Sequence, residues 1–452
     1  MRLGSLVSRR VAIWGMGEEG TAFARLLIER GATPVLVDDD PAAASRRAPI
    51  VAGAPLDVLP PTPAVLGGVD VVVRSPGVSR YRPELVEATR QGVAVTTPMA
   101  VWLDDFQHAP VVAITGTKGK STTATLAARV LELDGARVAL VGNIGVPVTD
   151  LYGREDCDAY VVEVSSYQAA EVTVSPAVCV LTSLAPDHLD WHGGVEPYYR
   201  DKLRLISAGP IGSLAVNAAS HEAVSRTIDH PGRLLYGDDG RVRAESGWIS
   251  IDGKRLVEYS GLRAPGAHNL ANLCGAVAGV LLLTGSAPSA PAVAAAIEGF
   301  GGLPSRCQSI GTRGGLEFID DALASNPFAT AASVVSYDER PMTLILGGAD
   351  RGVDFALLAE VVATRAPTPR IVVIPPDSER IVEAVRTAGG ARRVEISITE
   401  VADLGHAVRM AAANTPKDGV VLFSPGAPTP RGEGGFEERG RLFREAFEAL
   451  GS

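Results

Sequence analysis

The stretch "AITGTKGKST", Ala113 to Thr122, carries the strongest structural signal in this chain. The apolar run "VVAIT" predicts a buried strand that enters the stretch, and "STTATLAARVLELDG" predicts a helix that leaves it. Backbone N–H groups of a glycine turn at the start of a helix form a cradle for phosphate. Lys120 is placed to reach the β- and γ-phosphates, and Ser121 or Thr122 to hold Mg²⁺. The alternative is a Gly/Thr-rich connection with a chance lysine, since Ile114 stands where the strict phosphate-loop spacing has its first glycine.

Composition narrows the classes of protein to consider. The chain has 452 residues, of which 46% are hydrophobic, so it can form several domains with large cores. Its net charge of −10 argues against a nucleic-acid partner, because a phosphate backbone requires a basic face. The four cysteines lie far apart without a CxxC pair, which argues against disulfides and structural zinc.

The chain shows no sign of export or membrane insertion. Its first residues, "MRLGSLVSRRVAIWG", contain no long apolar region before a cleavage site. Apolar runs such as "AVAGVLLLTG" are expected to be too short to span a bilayer. We therefore expect a cytoplasmic protein.

Three α/β blocks follow one another along the sequence. The first begins with the strand "VAIWG", the helix "TAFARLLIERG" and the strand "PVLVDDD", a βαβ unit. The second surrounds the phosphate loop, and the third begins near "GLPSRCQ". We predict three domains, at residues 1–97, 98–303 and 304–452, with a hinge around "TTPMAVWLDDFQHAP" between the first two.

The first glycine turn, "GMGEEG", is a second candidate binding site. Gly15, Gly17 and Gly20 form a GxGxxG pattern, and Asp38 ends the next strand at about the offset of a dinucleotide fingerprint. Nicotinamide dinucleotide and a nucleotide-sugar diphosphate both suit such a turn. A tight βα connection without a ligand is the third possibility.

Acidic and imidazole side chains follow two further strands of the second block. "VVEVSSYQ" places Glu163 at a strand end, and "LAPDHLDWHGG" contributes Asp187, His188, Asp190 and His192. Beside a phosphate loop, a carboxylate and an imidazole can bind Mg²⁺ directly or through water. Taken alone, His188 is typical of a solvated histidine, and His192 is expected to be structural or peripheral.

Together these motifs resemble the Mur ligase family, the ATP-dependent amide ligases of bacterial cell-wall precursor synthesis. The resemblance covers nearly the whole chain, in order, through "TGTKGKST", "GNIG", "EVSSYQ", "DHLDWHGGVEPYYRDK", "GAHNLAN" and "GLPSRCQ". "SPGV" and the C-terminal "SP…FEERG" resemble the glutamate-adding branch. The resemblance implies a UDP-binding Rossmann-like domain, a central P-loop ATPase-type domain and a C-terminal Rossmann-like domain for the amino acid.

The resemblance also implies a role for each matching residue. The ATP contacts are Gly116, Thr117, Lys118, Gly119, Lys120, Ser121, Thr122, Asn269, Asn272, Arg306 and Asp321. The contacts to the UDP substrate are Gly15, Gly17, Asp38, Ser75, Pro76, Gly77 and Asn143. The amino-acid contacts are Ser325, Arg351, Thr429 and Phe436. The Mg²⁺ positions are Ser121, Glu163, His188 and a carbamylated Lys202, and the catalytic residues are Lys120, His188 and Lys202.

The implied reaction belongs to peptidoglycan synthesis, and hence to cell shape and division. ATP phosphorylates the alanyl carboxylate of UDP-N-acetylmuramoyl-L-alanine, and the amine of glutamate attacks the acyl phosphate. The tetrahedral intermediate then collapses to amide and phosphate. The protein aligns the ligands and neutralises charge with Mg²⁺ and lysine.

Departures from the family pattern gather in the implied amino-acid pocket. In "EFIDDALASNPFAT", Leu323 replaces a lysine and Ser325 a threonine, while Arg351 and Thr429 replace a lysine and a serine. Inverting the α-carbon of the incoming amino acid exchanges the directions of its side chain and carboxylate, so the cationic anchors must move. We predict L-glutamate as the acceptor, with a separate epimerase acting on the product. D-glutamate with drift in the pocket is the alternative.

Three other classes remain open from the sequence. An NAD-dependent oxidoreductase would use the GxGxxG turn but leave the Lys120 loop unexplained. A folylpoly-γ-glutamate type ligase would share the central domain but not this first domain. A non-catalytic relative would follow if the change to Leu323 disabled turnover.

Overall fold

The computed structural model describes residues 1–51, 54–144, 146–153, 156–209, 212–262, 267–298, 300, 302–337, 339–349, 354–376, 378–430 and 434–451. The α-carbon contacts divide the chain into two compact units. The first comprises Met1–Ser260 and His268–Ala296, and the second comprises Gly261–Ala267 and Ile297–Ser452. Two large sheets belong to the first unit and one to the second. The three predicted α/β blocks are therefore confirmed, while the boundaries at 97 and 303 stay predictions.

The first sheet has five parallel strands in the order β5-β2-β1-β6-β7. Its strands, together with a separate β3–β4 pair, are β1 (Val11–Trp14), β2 (Val35–Val37), β3 (Ile50–Val51), β4 (Ala54–Pro55), β5 (Val58–Leu59), β6 (Val71–Arg74) and β7 (Ala94–Thr96). The accompanying helices are α1 (Leu3–Val7), α2 (Glu18–Glu29), α3 (Pro41–Ala44), α4 (Pro63–Gly67) and α5 (Pro83–Arg90), with a 3₁₀ turn at Ser45–Arg47. Strands β1 and β6 are buried along their whole length, as expected for the centre of a parallel sheet.

The predicted hinge is instead a buried helix, α6 (Pro98–Asp105). Thr97 precedes it as the N-cap and accepts a hydrogen bond from the backbone N–H of Ala100 at 3.2 Å. Proline at the first helical position has the right φ for a helix start. The apolar side chains of this segment, including Met99 and Trp102, pack into the core of the first unit.

The second sheet has nine strands in the order β16-β15-β14-β13-β12-β11-β8-β10-β9. They are β8 (Val111–Thr115), β9 (Val138–Gly142), β10 (Ala159–Glu163), β11 (Val178–Leu181), β12 (Ser213–Asn217), β13 (Arg233–Tyr236), β14 (Val242–Glu245), β15 (Trp248–Ile251) and β16 (Lys254–Glu258). The helices are α7 (Lys120–Leu133), α8 (Ser166–Ala169), α9 (Leu189–His192), α10 (Val195–Ser207), α11 (His221–Arg226), α12 (Ala267–Thr284) and α13 (Ala290–Glu298), with a 3₁₀ turn at Val148–Leu151. β8 lies between β10 and β11, so the segments that follow these three parallel strands meet at one edge of the sheet.

At the other end of this sheet, the polar stretch "YGDDGRVRAESGWISIDGKRLVEYSG" forms small antiparallel strands. β14 pairs antiparallel with β15, and β15 with β16. The polar stretch therefore extends the central sheet.

Helix α12 corrects the expectation that no apolar segment is long enough to cross a membrane. Its 18 residues have a mean hydropathy of 1.4, which meets the length and composition of a span, and 56% of that window is buried inside the protein. A β-carbon at Gly279 would lie 2.9 Å from Cγ2 of Val180, so the helix packs directly on the second sheet. We interpret α12 as a core helix of the first unit.

The sheet of the second unit has the order β17-β18-β22-β19-β20-β21, parallel except for the β17–β18 pair. Its strands are β17 (Gln308–Arg313), β18 (Leu316–Asp320), β19 (Met342–Leu346), β20 (Arg370–Val373), β21 (Ile398–Glu400) and β22 (Val420–Phe423). Its helices are α14 (Pro327–Val335), α15 (Ala356–Thr364), α16 (Glu379–Arg392), α17 (Leu404–Asn414) and α18 (Gly435–Glu448). The mixture of parallel strands and covering helices agrees with the predicted Rossmann-like block.

Candidate active site

The phosphate loop lies between β8 and α7, where the sequence predicts it. Gly119 is the residue before α7 and has a φ of 88°, in the left-handed region that favours glycine. A β-carbon there would lie 2.3 Å from Oδ1 of Asn272, and one at Gly116 would lie 2.0 Å from Oγ1 of Thr182. The two glycines therefore let the loop pass close to neighbouring polar side chains.

Thr182 and Ser183, which directly follow β11, form hydrogen bonds with the backbone of the phosphate loop. Neither residue was predicted from the sequence. The hydroxyl of Thr182 donates to the carbonyl oxygen of Lys118 at 2.5 Å. Ser183 accepts from the backbone N–H of Lys118 at 2.9 Å and, through its carbonyl, from that of Thr117 at 2.9 Å. Tyr198 on α10 shares a 2.8 Å hydrogen bond with the Thr117 hydroxyl. The position of Thr182 and Ser183 directly after an apolar strand is the sequence feature that could have indicated their role.

The two predicted asparagines also lie beside the loop. Asn272 accepts a 3.3 Å hydrogen bond from the Thr123 hydroxyl and donates one of 3.3 Å to Oδ1 of Asn269. Both asparagines are buried and lie on the first turns of α12. The structure thus brings them to the loop, and their role in ATP binding stays a prediction.

Two lysine amines donate to carbonyls of the same loop. Nζ of Lys120 donates to the carbonyl oxygen of Thr117 at 3.2 Å, and Nζ of Lys202 to that of Gly116 at 2.9 Å. Lys202 is only 2% exposed. Burial lowers the pKa of Lys202 well below its ordinary value, and the charge of Lys120 lowers it further against the opposing effects of Asp187 and Glu163. Lys202 therefore has an amine that readily loses its proton.

Two buried oxygens beside the loop suit a divalent cation. Within the described residues, Oγ of Ser121 and Oε2 of Glu163 are buried and make no hydrogen bond. The other oxygen of Glu163 accepts from Nδ2 of Asn143 at 2.9 Å, which fixes the carboxylate at the end of β10. Hydroxyl and carboxylate oxygens without donors are ligands that Mg²⁺ prefers. The described part of the chain contains no group of three or more His, Cys, Asp or Glu side chains that could bind a metal, so a site here would use a mixed set.

His188 lies at the exposed rim of this region. It has a φ of 51°, just before α9, and its backbone N–H donates to Oδ1 of Asp187 at 3.0 Å. Its Nε2 lies 3.7 Å from the other Asp187 oxygen. Desolvation lowers the pKa of the imidazole despite the raising effect of Asp187, and Lys120 and Lys202 lower it further. A neutral imidazole is the form that binds a metal.

His192 has the structural environment that the sequence analysis expected. It is fully buried, with Nδ1 2.8 Å from Oδ2 of Asp201 and Nε2 2.9 Å from Oγ of Ser166. The hydroxyl of Tyr81 donates to the same Asp201 oxygen at 2.9 Å. Asp201 precedes Lys202 on α10, so this network holds the helix that carries the buried lysine.

A buried arginine binds the "SPGV" loop to the same segments. Arg74, at the end of β6, donates to the carbonyl oxygens of Val78 at 3.0 Å and Tyr167 at 2.9 Å, and its Nε lies 3.3 Å from Glu171. Its guanidinium lies 5.0 Å from the ring centroid of Trp191. Arg74 was not predicted, because no local motif distinguishes it from other arginines.

The seven residues predicted to bind the UDP substrate line one cavity of about 500 Å³. They are joined there by Glu18, Glu19, Asp39, Val78, Gly142 and Pro147. Oδ2 of Asp38 accepts from the N–H of Met16 at 2.7 Å, and the hydroxyl of Ser75 donates to the carbonyl of Gly15 at 2.5 Å. These bonds hold the glycine turn against the "SPGV" loop. Substrate binding by the seven residues stays a prediction.

In the second unit, Asp321 is the centre of a buried network. Its Oδ2 accepts hydrogen bonds from the hydroxyls of Ser333 at 2.7 Å and Ser424 at 2.6 Å, and its Oδ1 accepts from the N–H of Cys307 at 3.1 Å. Burial raises the pKa of Asp321 to about 6, against the lowering effect of these bonds. The predicted role of Asp321 at ATP stays open, since its oxygens already have partners within the unit.

The predicted amino-acid residues are only partly described. Ser325 is exposed, and Thr429 and Phe436 are half-buried. Arg351 lies outside the described residues. Arg306, predicted to contact ATP, is half-buried and forms a β-bridge with Leu303. The predicted roles of these residues stay predictions.

Replacing Gly119 by alanine should weaken ATP binding by about tenfold or more, because a β-carbon would collide with Asn272 in a left-handed backbone. Gly135→Ala is the matched control, since its φ is 96° and nothing lies within 4 Å of an added β-carbon. Titration calorimetry with ATP and Mg²⁺ compares the two. Equal ATP affinity in both variants would contradict the tight-approach argument.

Replacing Asp201 by alanine should lower the free energy of unfolding by about 2 kcal/mol, because His192 and Tyr81 lose a buried acceptor. The control is Asp190→Ala, an exposed acid from the neighbouring segment. Thermal and urea unfolding provide the measurement. A shift no larger than that of the control would show that the network contributes little.

Comparison with known proteins agrees with this geometry. The Mur ligase middle domain family matches residues 114–280, and the MurD-like N-terminal domain family of Mur ligases matches residues 9–97. A UDP-N-acetylmuramoyl-L-alanine–L-glutamate ligase of Micromonospora sp. is 40% identical, covering 99% of this chain and 98% of its own. The corresponding ligase of Salinispora tropica is 39% identical, covering 99% of each chain.

A solved structure shows the same fold. The UDP-N-acetylmuramate-alanine ligase of Thermotoga maritima matches with a TM-score of 0.62 at 19% identity, covering 98% of this chain and 100% of that one. With two family matches and relatives aligned over almost their whole length, this chain belongs to the Mur ligase family.

Proposed function

We propose that this protein joins L-glutamate to UDP-N-acetylmuramoyl-L-alanine in an ATP-dependent step of peptidoglycan precursor synthesis. The observation that carries the proposal is the near-complete alignment with relatives named for this reaction. The reaction takes place in the cytoplasm. The NAD-dependent oxidoreductase is set aside by family membership, and the folylpoly-γ-glutamate ligase by the MurD-like match at residues 9–97.

The residues of the phosphate loop have a direct role in the proposed chemistry. Lys120 stabilises the charge that develops on the phosphoryl group as it moves to the alanyl carboxylate. The backbone N–H groups of the loop and the start of α7 hold the other phosphates. The amine of glutamate then attacks the acyl phosphate, and phosphate leaves as the amide forms. Alignment of the reactants supplies much of the rate enhancement.

Ser121 and Glu163 would hold Mg²⁺, supported by their buried oxygens without hydrogen-bond partners among the described residues. When bound, Mg²⁺ neutralises phosphate and carboxylate charge. His188, at the rim, would contribute its neutral imidazole.

Lys202 would complete the cation site as a carbamate. The ammonium group first loses one proton, and the neutral amine then attacks the carbon of CO₂ and loses a second proton to solvent, so that a buried cation becomes an anion. That change is favourable beside Lys120, because it replaces repulsion between like charges with attraction. A carbamate can then bind the metal, whereas an ammonium group would repel it.

L-glutamate is preferred over D-glutamate for two reasons. The relatives are named for L-glutamate. The replacements at Leu323, Ser325 and Thr429 also fall in the pocket where an inverted α-carbon requires different anchors. A product with L-glutamate would require a downstream epimerase wherever the cell wall contains the D-isomer.

The purified protein, given ATP, Mg²⁺ and UDP-N-acetylmuramoyl-L-alanine, should release phosphate with L-glutamate and form the corresponding amide. The expected rate with D-glutamate is lower by about tenfold or more, since misplacing a charged group in the pocket costs about 1.4 kcal/mol or more. Phosphate release and mass spectrometry provide the measurement. Release with D-glutamate alone would overturn the stereochemical assignment, and release with neither would favour a non-catalytic relative.

Lys202→Ala should lose about 100-fold or more of the ligase activity, because a metal ligand is missing, and millimolar acetate or formate should restore part of it. The control is Lys254→Ala, which removes an exposed lysine from β16. Thermal unfolding of both variants separates loss of the fold from loss of the anion. Full activity without added carboxylate would refute the carbamate.

A further inference from the structure

The cavity assigned to the UDP substrate has an unexpected charge. Among the described residues that line it are four acids, Glu18, Glu19, Asp38 and Asp39, and no lysine or arginine. The nucleotide-sugar diphosphate of the proposed function is itself anionic. Four ionised acids would repel such a ligand, so the state of each acid decides whether it can bind.

Three of the four acids are compensated or solvated. Both oxygens of Asp38 accept backbone N–H groups, from Met16 at 2.7 Å and Asp40 at 3.0 Å. Asp39 forms an ion pair of 2.8 Å with Arg82. Glu18 is exposed to water. Their charge is therefore screened or neutralised.

Glu19 is different, because it is half-buried and, among the described residues, only one of its oxygens has a partner. Its Oε1 accepts from Nε2 of Gln168 at 2.5 Å. Its Oε2 is buried and makes no hydrogen bond within the described residues. An ionised carboxylate with a bare buried oxygen is unfavourable, whereas a neutral carboxyl group is tolerated.

The hydrogen bond from Gln168 cannot supply the missing charge. Oε1 of Gln168 accepts from the backbone N–H of Ser165 at 3.0 Å, so its NH₂ group must face Glu19. Its donor N–H favours the ionised carboxyl group and lowers the pKa of Glu19, but burial raises that pKa by more. Among nearby charged groups, Glu18 opposes the ionisation of Glu19 and Arg74 favours it. The guanidinium of Arg74 already forms a hydrogen bond with Glu171.

We propose that Glu19 is a positioning residue that must carry a proton for the nucleotide-sugar diphosphate to bind, so that Glu19 takes up a proton from solvent as the ligand enters. The inference rests on the proposed function, which brings that ligand to this cavity. Burial, with a smaller effect of Glu18, raises the pKa of Glu19 to about 7, so the free protein contains both forms near neutral pH.

The direction of the pH effect follows from this state. Below pH 7 Glu19 is protonated in the free protein, and the affinity reaches its highest value. Above pH 7 only a shrinking fraction is competent to bind, so the apparent Kd rises by up to about tenfold for each pH unit. The phosphates of a diphosphate diester are ionised throughout this range and contribute no slope of their own.

Titration calorimetry with UDP-N-acetylmuramoyl-L-alanine from pH 6 to pH 9 tests the inference. The wild-type Kd should rise above pH 7, with one proton taken up per ligand, detected by comparing buffers of different ionisation enthalpy. Glu19→Gln should bind without proton uptake, with a Kd that changes little with pH and is about tenfold or more lower than that of wild type at pH 8.5. Glu18→Gln, its exposed neighbour, should keep the wild-type slope.

The outcomes separate the two proposals. Equal pH slopes in wild type and Glu19→Gln, or weaker binding by Glu19→Gln at every pH, overturn the role of Glu19 and leave the proposed function standing. No binding by wild type at any pH overturns the proposed function itself and, with it, this inference. Thermal unfolding gives a second readout in the absence of ligand. A buried acid with a raised pKa loses stability as pH rises from about 4.5 to about 7, so Glu19→Gln should stabilise the protein at pH 8 more than at pH 5.

Discussion

Two consecutive charged side chains of one helix are buried, and much of the active region depends on them. Asp201 and Lys202 lie next to each other on α10, with exposures of 1% and 2%. Burying a charge is costly unless polar partners surround it. Asp201 finds them in His192 and Tyr81, and Lys202 in the carbonyl oxygen of Gly116. One helix thereby connects the phosphate loop to the segment between β6 and α5.

The same need for polar partners around a buried charge explains the arrangement around the "SPGV" loop. Arg74 is fully buried, and it satisfies its guanidinium with two carbonyl oxygens and Glu171. Trp191 donates through its indole N–H to the carbonyl of Pro76 at 3.1 Å, which adds a second link. Bonds of this kind set the shape of the cavity beside the loop. Because four acidic side chains line that cavity, the protonation state of Glu19 affects how well an anionic ligand binds.

The loop "EFIDDALASNPFAT" shows where a local interpretation stops. The loop contains no basic residue to pair with its two aspartates, and Leu323 stands where the family pattern has a lysine. In the structure Asp320 pairs with Arg444 at 2.7 Å, 124 residues later in the chain, and Asp321 is held by serine hydroxyls. The carboxylates thus have partners that no spacing within the loop could indicate.

The three α/β blocks, the phosphate loop, the glycine turn and the resemblance to the Mur ligases could all be predicted from the sequence. These follow from local patterns, because strand, turn and helix signals lie within about 20 residues of one another. The fold was needed to see that the segment from Pro98 to Asp105 is a buried helix, that Arg74 binds the carbonyl oxygen of Val78, and that Asp201 holds His192 and Tyr81. Tyr81 and Asp201 are 120 residues apart, and Oε2 of Glu19 has no partner among the described residues. Burial and pairing of this kind depend on which distant segments the fold packs together, so local sequence patterns cannot predict them.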